Sequence, residues 1–365
     1  MTDAIDVLVP PAELDGSPEA RAFVEAVAIL DATRLATHDS EQARLEPGEL
    51  LPSWQGGASA TKRMLVARTE GRVAGVGIME WRTEHDVAGE SWQSLAVHPD
   101  SQGRGIGRSL ADHMERLARA EGKSRIIVRA DTANGPGERL APRSGGGSLP
   151  SDNRDVRFLR NRGYVLEQVS RLLRLPLPAD PAVLDDRLAY AREKSGEDYR
   201  LVYWGDRVPE EWRHDVVLLW NRLGHDVPLA GVPLAGLGDA TRLTVERLVE
   251  REEAATGPAR QLNIAVEHVP SGRLAGFTTL VVPADPAHAV GQGTTIVMAE
   301  HRGHRLSLWL KVANIQNLER AFPGYPSILT SNAEENRYML DVNLALGFET
   351  TAGNGTWTAT LRQDG

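Results

Sequence analysis

The chain has 365 residues, 41% of them hydrophobic, no cysteine and a formal net charge of −9. That length suits two ordinary domains, and the lack of cysteine excludes disulfides, thiolate metal sites and a cysteine-linked acyl intermediate. The acidic balance argues against nucleic acid as a partner and is compatible with a cationic amine as a substrate. Apolar stretches are broken by charge within one strand length and Met1–Leu8 has no basic-then-apolar leader pattern, so no membrane span, no metal and a cytoplasmic location are expected.

In chain order, the first half predicts a strand at Ile5–Val9, a helix at Pro18–Thr37 and a shorter helical piece near Ser40–Leu45. A hairpin follows, Lys62–Arg68 with Val73–Trp81, turning at Glu70-Gly71. Trp92–Val97 reads as a strand that runs into a glycine-rich loop and an amphipathic helix, Ser109–Arg119. Arg125–Ala130 reads as a buried strand. Asp131–Pro150, rich in Gly, Pro and Ser and without periodicity, is expected to be a functional or mobile excursion. Helix Asp155–Arg162 and strand Tyr164–Leu175 follow, and Pro176, Pro178 and Pro181 mark a linker. The second half predicts helix Pro181–Lys194, strand Tyr199–Trp204, helices Glu210–Leu223 and Thr241–Glu253, and a hairpin, Leu262–Glu267 with Leu274–Val282, turning at Ser271-Gly272. Strand Thr294–Met298, helix Leu306–Ala321, strand Ser327–Thr330, helix Glu334–Leu346 and a final hairpin through Gly353-Asn354-Gly355 complete it.

The most informative stretch is Leu95-Ala96-Val97-His98-Pro99-Asp100-Ser101-Gln102-Gly103-Arg104-Gly105-Ile106-Gly107-Arg108. Glycine at 103, 105 and 107 lets main-chain amides converge ahead of a helix N-terminus, a geometry suited to a pyrophosphate. A nucleotide P-loop would need Gly-Lys-Ser/Thr where this chain has Gly107-Arg108-Ser109. A dinucleotide fingerprint would space its glycines Gly-x-Gly-x-x-Gly, which this loop does not. Gln102, Gly105 and Gly107 instead satisfy the acyl-coenzyme A pattern Gln/Arg-x-x-Gly-x-Gly/Ala, and on these residues the chain resembles the GNAT superfamily of N-acetyltransferases. A purely structural tight turn is the competing reading.

The pattern occurs twice. Val297-Met298-Ala299-Glu300-His301-Arg302-Gly303-His304-Arg305-Leu306-Ser307 repeats the first loop at a constant offset of 200 positions, and Arg162-Gly163-Tyr164 is echoed by Leu346-Gly347-Phe348. The expected fold is therefore α/β (α+β): two tandem GNAT-like domains, 1–176 and 177–365, each a mixed, mostly antiparallel sheet flanked by helices with a splayed cofactor strand.

The resemblance implies an acetyl-CoA donor with its diphosphate on the amides from Gln102 to Ser109, its pantetheine arm along Leu95, Ala96 and Val97, and Arg104 and Arg108 as cations near the phosphates. Val297, Arg302, Gly303, His304 and Arg305 are the second-half counterparts, with Arg305 and Ser307 standing where Gly105 and Gly107 do. On that ground the first half is expected to bind acetyl-CoA more tightly, while the second half has the better-matched closing motif, Asn332-Ala333-x-x-Asn336-x-x-Met339, and which half turns over stays open. The family's base position falls on Gln93, which cannot accept a proton, and on Gly293; Glu90 is the nearest carboxylate. The family's acid position falls on Leu159 and Asn343, of which only Asn343 can donate a hydrogen bond. Asn336 matches an asparagine that contacts the pantetheine arm. His85 and Asp86 lie on the loop where an acceptor would approach. The function implied is transfer of acetyl from acetyl-CoA to the primary amine of a small molecule by direct attack. The alternative is a non-catalytic acyl-CoA-binding protein with one or both domains degenerate.

Overall fold

The computed structural model describes residues 4–38, 44–55, 60–82, 89–226, 243–254 and 257–361. Its elements run β1 (Ala4–Leu8), α1 (Pro18–His38), α2 (Pro47–Gln55), β2 (Ala60–Thr69), β3 (Arg72–Arg82), β4 (Glu90–Val97), α3 (Ile106–Ala120), β5 (Arg125–Ala133), β6 (Arg139–Leu140), β7 (Leu149–Pro150), α4 (Arg154–Asn161) and β8 (Val165–Pro176). Then follow α5 (Pro181–Ser195), β9 (Tyr199–Trp204), α6 (Arg213–Asp226), α7 (Val245–Ala254), β10 (Arg260–His268), β11 (Arg273–Val282), β12 (Val290–Val297), α8 (Leu306–Ala321), β13 (Ser327–Ala333), α9 (Arg337–Ala345) and β14 (Glu349–Thr360). Among the described residues no helix is long and apolar enough to cross a membrane.

The described residues form two compact units: those within 4–170 together with 352–361, and those within 171–226 and 243–351. The proline-marked linker follows β8 and leads into α5, which Pro181 opens, while the division between the compact units falls within β8, after Ser170, and within β14, before Ala352.

The first unit's sheet has the order β1-β2-β3-β4-β5-β14-β8. The β2–β3 hairpin closes on Glu70 (φ 53°) and Gly71 (φ 76°), the two left-handed positions of a type I′ turn. Side chains alternate across the sheet. Leu65, Met79, Leu95, Val97, Ile126 and Trp357 pack toward α3, while Met64, Val66, Val76, Ile78 and Ala96 pack toward α1 and α2. Helix α3 presents Ile106, Leu110, Met114 and Ala118, spaced four apart on one buried face. It lies close to β3 because Gly75 and Gly77 have no Cβ: one at Gly75 would stand 2.9 Å from Ile106 and Leu110, and one at Gly77 2.6 Å from the Met114 sulfur.

Three local expectations are corrected. The second helix is α2, Pro47–Gln55, with Arg44–Glu46 non-helical; 40–43 of the expected span lie outside the described residues. In the segment after Ala130 only the structureless alternative is overturned: β5 runs on to Ala133, β6 and β7 pair, and Leu149 is buried in the core. The final hairpin is one continuous strand, β14, whose Ala352–Thr360 part pairs antiparallel with β5. The chain can run straight because Gly353 and Gly355 leave room for Leu149 and the Trp357 ring, so they extend a strand where glycines more often mark a turn.

The second unit's sheet has the order β8-β13-β12-β11-β10-β9. Helix α8 is buried along nearly its whole length under α5 and against β10 and β11. On the other face, Val216, Leu219 and Leu248 of α6 and α7 pack on Ala265, Phe277 and Ile296.

A Cβ at Gly355 would sit 2.5 Å from Trp357 Nε1 and 2.8 Å from Leu149. Gly355→Ala is therefore expected to destabilise the first unit by about 1–3 kcal/mol, read as a lower urea midpoint.

Candidate active site

Strand β4 pairs with β3 along its length, from Glu80↔Trp92 to Gly75↔Val97. Its parallel pairing with β5 covers only Glu90↔Arg125 to Gln93↔Val128. Beyond that point the two strands part. The His98 N–H donates to Ala74 O (3.0 Å), so by alternation the even residues of β4 bond β3 and the N–H groups of Leu95 and Val97 face the gap. A cavity of about 890 Å³ opens there, with Gln93–Val97 on one wall and Val128, Arg129, Ala130 and Asp131 on the other. Because successive residues face opposite sides, this cavity passes through the sheet.

On the α3 side, a 3-10 turn (Pro99–Ser101) leads into the glycine loop. Gln102 fixes that loop: its Nε2 donates to Val97 O (2.9 Å), and its Oε1 accepts from Arg154. Gly103 (φ 76°) and Gly105 (φ 83°) both need the left-handed region. Gly105 is the N-cap of α3, and no side chain caps the first-turn amides. A Cβ on Gly107 would stand against Val97, Leu95 and Phe158, at 3.6–3.9 Å. Its absence leaves the helix backbone open to the cavity. Arg108 and Arg154 also line this end. Uncapped amides, a cleared approach and two cations together fit a diphosphate.

On the α1 side the walls are Leu30, Thr33, Arg34 and Thr37 of α1, Leu45 ahead of α2, Leu50 and Trp54 of α2, and Ile78 of β3. Arg129 lies over the Trp92 ring (5.1 Å to its centroid), and desolvation there lowers its pKa. Asp131 accepts from Asn354 Nδ2 (2.5 Å), so the chain's last strand holds a cavity carboxylate.

Residues 29–145 match the model of the acetyltransferase (GNAT) family. The first unit carries a GNAT domain. Three solved structures show how the whole chain is folded. A tandem GNAT protein from the clavulanic acid biosynthesis pathway, solved without acetyl-CoA, aligns with a TM-score of 0.73 at 24% identity over 98% of this chain and 99% of its own. A GCN5-related N-acetyltransferase from Sphaerobacter thermophilus gives 0.61 at 14% identity over 99% and 96%. The glucosamine N-acetyltransferase region of a fungal multi-domain β-N-acetylglucosaminidase gives 0.59 at 14% identity over 98% of this chain and 38% of that one. These likenesses establish a tandem GNAT fold. No curated protein sequence matches the chain.

Of the residues expected from sequence, Gln93, Leu95, Ala96, Val97, Gln102, Gly103, Gly105, Ile106, Gly107 and Arg108 line the GNAT domain's cavity. Arg104 is exposed and outside the lining, and the Ser109 N–H donates within the helix to Gly105 O (3.0 Å). Glu90 begins β4, pairs with Arg125 (3.4 Å) and is not a lining residue. Gln93 is buried and donates to Ser91 Oγ (3.2 Å). His85 and Asp86 lie outside the described residues. Asp131, Asn354 and Arg34 are missed by sequence reasoning: Asp131 opens the Gly-, Pro- and Ser-rich excursion, and nothing in the sequence pairs it with Asn354.

The second unit repeats the backbone but not the chemistry. Gly303 (φ 93°) and Arg305 (φ 57°) reproduce the left-handed positions of Gly103 and Gly105. Arg305 packs over the Tyr190 ring of α5 (5.6 Å), His304 packs on Tyr199, and Ser307 is buried where Gly107 opens the cavity. Arg302 is exposed and Val297 is buried at the end of β12. Asn336 caps α9, accepting from the Met339 N–H (3.3 Å). Asn343 is fully buried and donates to Asn332 Oδ1 (2.6 Å).

Ala111, a lining residue in the first unit, corresponds to Lys311 in the second. Lys311 is buried, donates to Gln292 Oε1 (3.0 Å) and lies 5.4 Å from the Phe348 ring centroid. Desolvation lowers its pKa from the ordinary 10.5 to about 7. Between those values the unfolded chain holds this proton and the folded chain does not, so the group makes stability rise with pH by up to about 1.4 kcal/mol per pH unit. Urea unfolding of Lys311→Met should show a flatter rise between about pH 7 and 10 than the parent chain.

Proposed function

We propose that the chain is an acetyl-CoA-dependent N-acetyltransferase that acetylates the primary amine of a small molecule, with the first unit as its catalytic half. The observation that carries this reading is the cavity through the sheet. It joins an amide-rich, cationic end on the α3 side to a separate pocket on the α1 side, as transfer between two substrates by direct attack requires.

Bound acetyl-CoA supplies an activated acetyl thioester. The uncapped amides after Gly105, with Arg108 and Arg154, would hold its diphosphate. The Leu95 and Val97 N–H groups, unpaired by β5, would orient the arm and polarise the acetyl carbonyl. An alkyl amine is protonated at neutral pH. Neither the Gln93 amide nor the ion-paired Glu90 is suited to take that proton. Asp131, on the α1 side of the gap and oriented by Asn354, is assigned as its acceptor.

The second unit favours the alternative for its own half. Buried Ser307 and Lys311 and the Arg305–Tyr190 stack support a non-catalytic role there.

Calorimetry with acetyl-CoA tests the cofactor assignment. Gly105→Glu should weaken binding at least about 10-fold by placing a carboxylate at the phosphate end, while Gly303→Glu should change it little. Unchanged affinity in Gly105→Glu removes the proposed site. Asp131→Asn should leave acetyl-CoA affinity intact and lower kcat about 10²- to 10⁴-fold, followed as thiol release with a panel of amines.

A further inference from the structure

Among the described residues, the α1 half of the cavity carries two guanidinium groups, Arg34 and Arg129, and one carboxylate, Asp131, and neither guanidinium forms an ion pair with a described carboxylate. Arg34 lines it from α1, with a buried Nε that has no hydrogen-bond partner among the described residues. Arg129 enters from β5 and stacks on Trp92, in surroundings that disfavour its charge. The two described neighbouring carboxylates have other partners. Asp31 accepts from the Leu45 N–H (2.9 Å) and faces Arg44 at 3.8 Å, and Asp131 accepts from Asn354. The other cations of the cavity serve its α3 end: Arg162 pairs with Asp112 and Glu115, and Arg154 with Asp155 and Gln102.

A desolvated guanidinium without a counterion is costly, and a planar carboxylate satisfies its fork of donors best. A polyamine or aminoglycoside would add further positive charge beside Arg34 and Arg129. The remaining wall, Leu45, Leu50, Trp54 and Ile78, offers apolar surface.

Resting on the N-acetyltransferase reading above, we infer that the acceptor is an amino acid or a closely related amino-carboxylate with an apolar side chain. Its carboxylate is bound by Arg34 and Arg129 and its amine is directed to Asp131. The spacing suits such a molecule. Arg129 and Asp131 lie two residues apart on the same face of β5, about 6.6 Å along the strand, so one compact zwitterion can meet both.

The test uses the full chain saturated with coenzyme A and compares N-acetyl-L-leucine with N-acetyl-L-leucinamide by calorimetry. The two differ in the carboxylate alone. The carboxylate form should bind about 10- to 100-fold tighter. Arg34→Gln and, separately, Arg129→Gln should collapse that ratio toward one, and Arg34→Lys should restore part of it. Acetyl-CoA affinity in each variant reports that the unit is folded. Equal binding of acid and amide, a ratio unchanged in both Gln variants, or no binding by any of the N-acetyl derivatives of glycine, leucine, phenylalanine and tryptophan overturns the inference. So does preferential acetylation of spermidine over leucine, which would leave N-acetyl transfer itself standing. Loss of acetyl-CoA binding by the parent chain would instead defeat the proposed function.

Discussion

Everything at the site depends on two neighbouring strands that stop bonding to each other. Past Gln93 and Val128, β4 and β5 hold no common ladder, and each would expose a row of polar backbone groups at considerable cost if nothing replaced the lost bonds. The fold supports both strands from their outer edges. β4 keeps its full antiparallel register with β3, and β5 keeps its own with β14 from Arg125↔Thr360 to Ala133↔Ala352. One orphaned carbonyl, that of Val97, is taken by the Gln102 side chain. The amides left in the gap can then serve a ligand without the sheet fraying.

The two units separate what backbone conformation preserves from what side chains decide. Arg305 holds the left-handed N-cap of α8 at a strain that Gly105 does not bear, of order 1–2 kcal/mol. The loop geometry has thus survived replacement of the residue type it favours. The open volume has not survived. A serine at Gly107's place and a lysine at Ala111's are both buried in the second unit. A diphosphate needs converging amides and also empty space in front of them, so repetition of the loop does not amount to repetition of the site.

This distinction also explains what could be read from the sequence. The glycine loop, the Ile106/Leu110/Met114/Ala118 face and the Glu70-Gly71 turn were legible because each is a local consequence of residue type and spacing. Asp131 and Asn354 meet across 223 positions of sequence, and their partnership depends on the register of a strand whose two glycines suggested a turn. Asn336 and Asn343 fitted family positions by spacing, yet in the fold one caps a helix and the other bonds Asn332 inside the core. Spacing along a helix places a side chain on a face. It does not say whether that face meets a ligand or the protein's own interior.

For the proposed transfer reaction, the chain's net charge and the cavity's charge favour different acceptors, and the physics of screening weighs one against the other. A net charge of −9 would attract a cationic amine from a distance. Those charges are spread over the surface, where the Debye length is about 8 Å at physiological ionic strength, so their summed field is weak by the time a molecule sits inside a cleft. Arg34 and Arg129 act at contact, with part of each side chain desolvated and no ion pair to a carboxylate among the described residues. At that range the local dielectric is lower and one unmet guanidinium outweighs several distant carboxylates. On the acceptor proposed above, bulk charge biases how often a cation arrives, while the cavity's own cations determine which molecule stays.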